Sequence, residues 1–383
     1  MLALEYRPSI ARYAATRVRR GAGLGSLQLV KTRPPALPAG DWISIRPRLS
    51  GICGSDMALL SGQVSLSLAS LTSGPFVPGH EIVGETAMGP ERGRRVVVEP
   101  ALGCTVRGIE PPCPECAEGM QALCRNAVDG TISAGLQTGF CRETGGGWSE
   151  GLVAHRSQLH EVPEALADED AVLAEPLACA LHAVATAELE AHEVVAVIGA
   201  GTIGALTVAA LRERHPKVTV LCVAKHRAQE LEVRRLGADE VCSPDRLALA
   251  GMRLTGARRL VGHGGRELLM GGFDAVLDCI GTGTSIEDAV SVVRPQGRVL
   301  LVGMPGKVSV DLALAWLREA RIQGAYGYRD EFPAALELSG RLGLGRLVAN
   351  GWHLRDYRNA LEDAPRAARS GHLKTVFDLR NAP

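Results

Sequence analysis

Along the first 160 or so residues, apolar positions come in short runs broken by Gly and Pro. Trp42-Ile43-Ser44-Ile45-Arg46 and Arg95-Val96-Val97-Val98-Glu99 are examples, each flanked by turn residues. Such runs predict a β-rich domain with functional loops. From about residue 171 the pattern changes. Ala171–Leu189 is rich in Ala and Leu and is helix-compatible. Beyond it, continuous apolar runs alternate with stretches of helical character. Val194–Ile198, Val218–Val223, Phe273–Cys279 and Arg298–Val302 are the expected strands; Thr202–Arg214, Ala228–Leu236 and Ser285–Val293 are the expected helices. Strands that are apolar throughout, separated by helices, imply a parallel sheet covered on both faces. After about residue 327 the chain returns to mixed helix and strand and runs into Thr375-Val376-Phe377-Asp378-Leu379.

Composition narrows the class. A length of 383 residues suggests two or three domains, and 46% hydrophobic with 22% charged residues supports a large core. Lys+Arg and Asp+Glu are 42 each. That balance argues against a nucleic-acid or anionic-membrane binder, which needs a basic surplus. Aromatics at 4% leave little for a stacking surface. No apolar run is long enough for a membrane span. The Arg-rich start resembles a mitochondrial leader, but Glu5 and the strand-like Leu2-Ala3-Leu4 argue against one. With no secretory signal expected, the ten cysteines fit a reducing, cytoplasmic setting, in ligand or core roles.

Val194–Ile198 runs directly into Gly199-Ala200-Gly201-Thr202-Ile203-Gly204, which opens a helix. In that context GxGxxG is a dinucleotide signal. The first Gly makes the turn, the second admits the pyrophosphate, the third lets helix and strand pack, and the helix N-terminus faces phosphate charge. An acidic residue about 20 positions on would hold the ribose 2′-hydroxyl of NAD. Here the second strand ends instead at Ala224-Lys225-His226-Arg227. Cations there attract a 2′-phosphate, so NADP is expected over NAD. The plainer reading is a solvated basic helix start.

Cys104, Cys113, Cys116 and Cys124 lie in one Pro/Gly-rich loop. Four thiolates can close a tetrahedral, structural zinc site. A redox pair, Cys113 and Cys116, is the alternative, and it leaves two cysteines unexplained. A dispersed set comprises Gly51-Ile52-Cys53-Gly54-Ser55-Asp56, Val77-Pro78-Gly79-His80-Glu81 and Ala174-Glu175-Pro176. Each piece alone is weak. Together they supply a thiolate, an imidazole and carboxylates, the donors of a zinc site that keeps an open position.

With those stretches, and with VLDCIGTG, GRVLLVGMPG and GHLKTVFDL in order behind them, the chain resembles the zinc-dependent medium-chain dehydrogenases/reductases. It is similar above all to their alcohol, polyol, sugar and threonine dehydrogenase members. The resemblance implies an α/β protein: a GroES-like β-rich catalytic domain, 1–176 completed by 327–383, and a doubly wound Rossmann domain, 177–326. It implies Cys53, His80 and Glu81 as catalytic zinc ligands, with Glu175 a fourth ligand or the holder of a zinc-bound water. Ser55 would bond the alcohol oxygen and start proton release. Asp56 would fix a ligand imidazole or the loop, or else only cap a helix. Lys374 in the terminal motif would be structural as readily as anything else. Homodimers or homotetramers are expected, with a small alcohol or carbonyl compound as substrate. The chemistry implied is zinc as Lewis acid and hydride transfer to the nicotinamide.

Two departures stand out. Many relatives carry a His five residues after the ligand Cys, where this chain has Ala58, so proton relay would need water, the cofactor ribose or another group. The first cysteine spacing is eight rather than two, which makes Thr105–Pro112 an insertion and puts Cys104 in question as a ligand. A zinc-independent NADPH enone or quinone reductase would lack the His80-Glu81 pair and the cysteine loop. A non-catalytic NADP-binding relative would have lost a ligand or Ser55. Cys141, Cys179, Cys222, Cys242 and Cys279 read as packing residues. His155, His160, His182 and His263 read as surface or satisfied core histidines, and Gly145–Trp148 as a turn feeding a strand.

Overall fold

The structure is a computed structural model that describes residues 1–9, 26–38, 40–367 and 369–381. Most of the Arg-rich stretch behind the leader-like reading falls outside the described residues. Two compact units divide the chain: Met1–Ala178 with Gly327–Ala367 and Lys374–Pro383, and Cys179–Tyr326 with Ala368–Leu373.

The first unit begins with β1 (Leu2–Tyr6) and β2 (Leu27–Lys31), an antiparallel pair. Next come β3 (Trp42–Gly51), α1 (Gly54–Leu60), β4 (Ile82–Thr86) and β5 (Arg95–Val98). They are followed by α2 (Pro114–Ala117), β6 (Leu152–His155), β7 (Leu159–Glu161), α3 (Asp168–Ala171) and the start of α4 (Ala174–Thr186). β3 is the spine of an antiparallel sheet. Its first half pairs with β6, its second half with a C-terminal strand, and its other edge with β4, which leads on to β5 and β7. Pro47 lies in mid-strand because the register to β4 shifts between Pro47 and Leu49. A bulge is where a residue without an N–H is tolerated. The expected helix over 171–189 is broken: α3 ends at Ala171 and α4 starts at Ala174.

The second unit holds β8 (Val194–Ile198), α5 (Thr202–Arg214), β9 (Thr219–Val223), α6 (Arg227–Arg235), β10 (Glu240–Cys242) and α7 (Leu247–Thr255). A hairpin follows, β11 (Arg258–Val261) and β12 (Glu267–Met270), then β13 (Phe273–Asp278), α8 (Gly283–Val292), β14 (Val293–Leu301), α9 (Ala313–Leu317) and β15 (Arg321–Gly324). Six strands form a parallel sheet in the order β10-β9-β8-β13-β14-β15. That is the doubly wound order of a Rossmann sheet, whose direction reverses between β8 and β13. Ala196, Ile198, Leu221, Val276 and Val299 pack with helix residues such as Ala289 and Val290, so apolar runs are buried as expected. The chain then returns to the first unit with α10 (Glu331–Arg341), α11 (Tyr357–Ala367) and β16 (Val376–Asp378), the strand that pairs with β3. Among the described residues no helix is long and apolar enough to cross a membrane.

Candidate metal centres and cofactor site

Cys53 is the N-cap of α1, and Ser55 is the second residue of that helix. Asp56, fully buried, accepts from the Cys53 N–H with Oδ2 (3.0 Å) and turns Oδ1 toward Nδ1 of His80 at 3.6 Å. It therefore does both things the sequence left open: it caps the helix and faces an imidazole. His80 and Glu81 immediately precede β4 and are themselves buried. Ligand atoms of Cys53, His80 and Glu81 all lie within 4.8 Å of one another. Burial opposes protonation of His80. Asp56, the bond to Cys53 and the charges of Cys53 and Glu175 outweigh it, holding the imidazole well above its usual range. Burial also pushes the Asp56 carboxyl up. A partly buried thiol and a buried imidazole and carboxylate bunched this tightly are the donor set of a divalent zinc ion, and they fit one.

Lys374 is the residue whose importance the sequence understated. Its buried ammonium donates to both Glu81 oxygens at 2.6 Å and lies 3.4 Å from the Ile52 carbonyl. Burial alone would strip its proton, but Glu81, Cys53 and Glu175 hold it, above the ordinary lysine value. A β-carbon on Gly51 would stand 1.8 Å from Glu81 Oε2, so this pair needs glycine at that point of β3. The usable signal was a lysine inside a largely apolar run, Leu373-Lys374-Thr375-Val376-Phe377, just ahead of β16. Glu175 enters the first turn of α4, 8% exposed, and its charge acts on both His80 and Lys374.

The four loop cysteines come together, Cys104 included. Their sulfurs lie within 4.8 Å of one another, with Cys104 to Cys124 at 3.7 Å and Cys113 to Cys124 at 3.9 Å. Tetrahedral zinc with Zn–S near 2.3 Å needs sulfurs about 3.8 Å apart, so the cluster fits that ion. Cys104 Sγ accepts from the Cys113 N–H (3.3 Å) and the Asn126 amide (3.3 Å). Burial resists its ionisation, but those bonds, with Cys124, bring its pKa down to about 7, while burial pushes Cys124 up to about 11. The eight residues between Cys104 and Cys113 are accommodated, Val106 and Arg107 turning inward, with both cysteines in the cluster. Burial holds Cys242 and Cys279 up at about 12, as thiols.

In the second unit, Gly199 follows β8 with φ of +98°, a conformation glycine adopts freely, and Gly201 caps α5, which opens with Thr202, Ile203 and Gly204. A β-carbon on Gly204 would come 1.7 Å from the Gly199 carbonyl oxygen, so only glycine lets α5 approach β8 this closely. Ala224 directly follows β9, half-buried His226 caps α6, and Lys225 and Arg227 are exposed. The Lys225 and His226 N–H groups donate to Gln229, and Arg227 pairs with Glu230 at 2.7 Å. The segment 369–373 packs here too: Thr202 Oγ1 donates to the Leu373 carbonyl, and Gly371 lies against Ala228.

The glycine turn at a doubly wound switch point, together with two thiol-containing donor clusters in the other unit, defines a zinc-containing, nicotinamide-dependent oxidoreductase. The chain belongs to the zinc-binding dehydrogenase family. Residues 202–341 match the family model described as zinc-binding dehydrogenase, and residues 39–164 match the alcohol dehydrogenase GroES-like domain. It is similar to the sorbitol dehydrogenase of Arabidopsis thaliana, 28% identical over 94% of each chain. It is also similar to a protein of Arthroderma otae named Probable D-xylulose reductase A, 30% identical over 86% of this chain and 88% of that one. Among solved structures it shares the fold of 2R,3R-butanediol dehydrogenase from Bacillus subtilis, 22% identical, with a TM-score of 0.74 over 99% of each chain.

Proposed function

We propose that this chain is an NADP-preferring dehydrogenase that moves a hydride between the cofactor and a secondary alcohol, a polyol, or the matching ketone or sugar. The observation that carries the reading is the gathering of Cys53, His80 and Glu81 within 4.8 Å. These three are the proposed ligands. A carboxylate has lone pairs to spare, so Glu81 can keep Lys374 on one oxygen and face the metal with the other. Zinc, when bound, supplies Lewis acidity at the substrate oxygen. Asp56 orients the His80 ring, and Glu175 adds negative charge as a fourth ligand or as the partner of a water. Ser55 Oγ bonds the substrate oxygen and accepts its proton as it passes its own onward, to water, the cofactor ribose or another group, because residue 58 is Ala. Cys104, Cys113, Cys116 and Cys124 hold a second, structural zinc.

The names of the sorbitol and xylulose relatives support a polyol or ketose substrate. Lys225, His226 and Arg227 at the end of β9, with no carboxylate at the strand tip, support NADP. The exposed Arg369 and His372, in the segment packed against Ala228, add to that basic surface. All ten cysteines are unbridged, in keeping with a reducing, cytoplasmic setting. The test is kcat/KM for both cofactors against polyols, aldoses, hydroxy amino acids and simple secondary alcohols. NADP is expected to win, and Ala224→Asp to reverse the order. Strong NAD preference in the native chain would overturn the cofactor assignment. Absence of turnover on the whole panel would overturn the substrate class.

A further inference from the structure

The segment between Cys104 and Cys113 carries one side chain that the sulfur cluster does not use. Arg107 is completely buried. Its Nε donates to the Leu102 carbonyl at 2.9 Å. Nη1 donates to the carbonyls of Asp129 (2.8 Å), Ile132 (3.3 Å) and Ser133 (3.3 Å), and Nη2 to that of Gly135 (2.5 Å). Its own carbonyl accepts from Thr131, from the N–H at 3.0 Å and the hydroxyl at 3.2 Å. One guanidinium thus joins Leu102, just ahead of the cysteine loop, to residues 129–135, just behind it.

The chemistry is unusual for a buried cation. Such groups are normally matched by a carboxylate, because an isolated buried charge is expensive. Here the guanidinium hydrogen bonds go to neutral carbonyls. Burial opposes the charge on Arg107, while Cys141, Cys124, Asp129 and Cys104 favour it when ionised. Four thiolates around one divalent ion leave two negative charges on the cluster. A zinc-loaded cluster would therefore set net negative charge, through Cys104 and Cys124, beside a buried guanidinium whose hydrogen bonds reach no carboxylate.

We propose that Arg107 is both the clamp and the counter-cation of the four-cysteine metal lobe, and that the eight-residue separation of Cys104 from Cys113 serves to bring it there. The inference rests on the lobe holding zinc. It makes Arg107 a positioning residue acting through the cluster, distinct from the residues proposed to touch substrate.

The test uses the zinc-loaded full chain and follows transfer of zinc to a chromogenic chelator, in the native protein and in Arg107→Gln and Arg107→Lys. Cobalt substitution gives a second readout, the thiolate-to-metal absorption band of the lobe. Arg107→Gln is expected to release lobe zinc about 10- to 100-fold faster, the usual cost of losing an outer partner. It should shift the cobalt band, leaving zinc release from the other site and cofactor binding unchanged. Arg107→Lys, which keeps the charge but not the fork, should recover part of the loss. A folded Arg107→Gln with native release kinetics would overturn the proposal, and so would equal loss in both variants, which would leave no role for charge. If Arg107→Gln does not fold, an Arg107→Lys with the native rate and band contradicts the clamp. Native protein without lobe zinc would overturn the metal reading itself, before any variant is compared.

Discussion

Lys374 and Glu81 meet at 2.6 Å with both side chains buried. Removing one partner of such a pair strands the other, a loss of about 3–5 kcal/mol. Lys374→Met should therefore destabilise the metal-free protein strongly. The zinc-loaded protein should lose less, because the cation compensates Glu81 in place of the ammonium. Thermal unfolding with and without zinc checks this; equal losses in both forms would show that Glu81 has no share in the metal site. At this scale the sequence was legible where chemistry is rare. Cys53, His80, Glu81 and the four loop cysteines stand out by residue type, and the structure brings each set together. Lys374 and Arg107 did not stand out, because a basic side chain declares its role only through what surrounds it. The doubt over Cys104 came from counting residues along the chain, whereas the loop closes through space.

The elements that sequence patterning finds and misses divide by burial. β8, β9 and β13 are runs of apolar residues because the sheet is covered on both faces, and their limits fall within a residue or so of those expected. β15 reads Arg-Ile-Gln-Gly and is exposed along its whole length, so it carries no hydrophobic signal. The β11–β12 hairpin is similarly masked by its arginines and glutamate. Yet β15 is the open edge of the six-stranded sheet. Trp316 beside it is 82% exposed and Leu317 66%. An open strand edge next to exposed apolar side chains invites pairing. A second copy related by a two-fold axis would set the two β15 edges antiparallel and cover both patches. Light scattering should give a dimer or tetramer, and Trp316→Glu should shift it toward monomer. A monomeric native chain at micromolar concentration would refute that assembly.

For the molecule as a whole, the division of labour follows from the two units. The antiparallel unit gathers soft and hard donors out of water, and the parallel unit presents a glycine turn at its switch point. Zero formal charge fits a protein whose ligands are bound by local constellations rather than by a global field. The relation to zinc-binding dehydrogenases fixes the reaction class, while the choice of alcohol depends on pocket side chains that no motif encodes. The measurement that tests the central claim most directly is anomalous diffraction at the zinc absorption edge from crystals of the native protein. The account predicts about two peaks per chain. One should sit among Cys104, Cys113, Cys116 and Cys124, and the other should touch Cys53 Sγ and a His80 ring nitrogen. Zinc-replete crystals without a peak at Cys53 would contradict it.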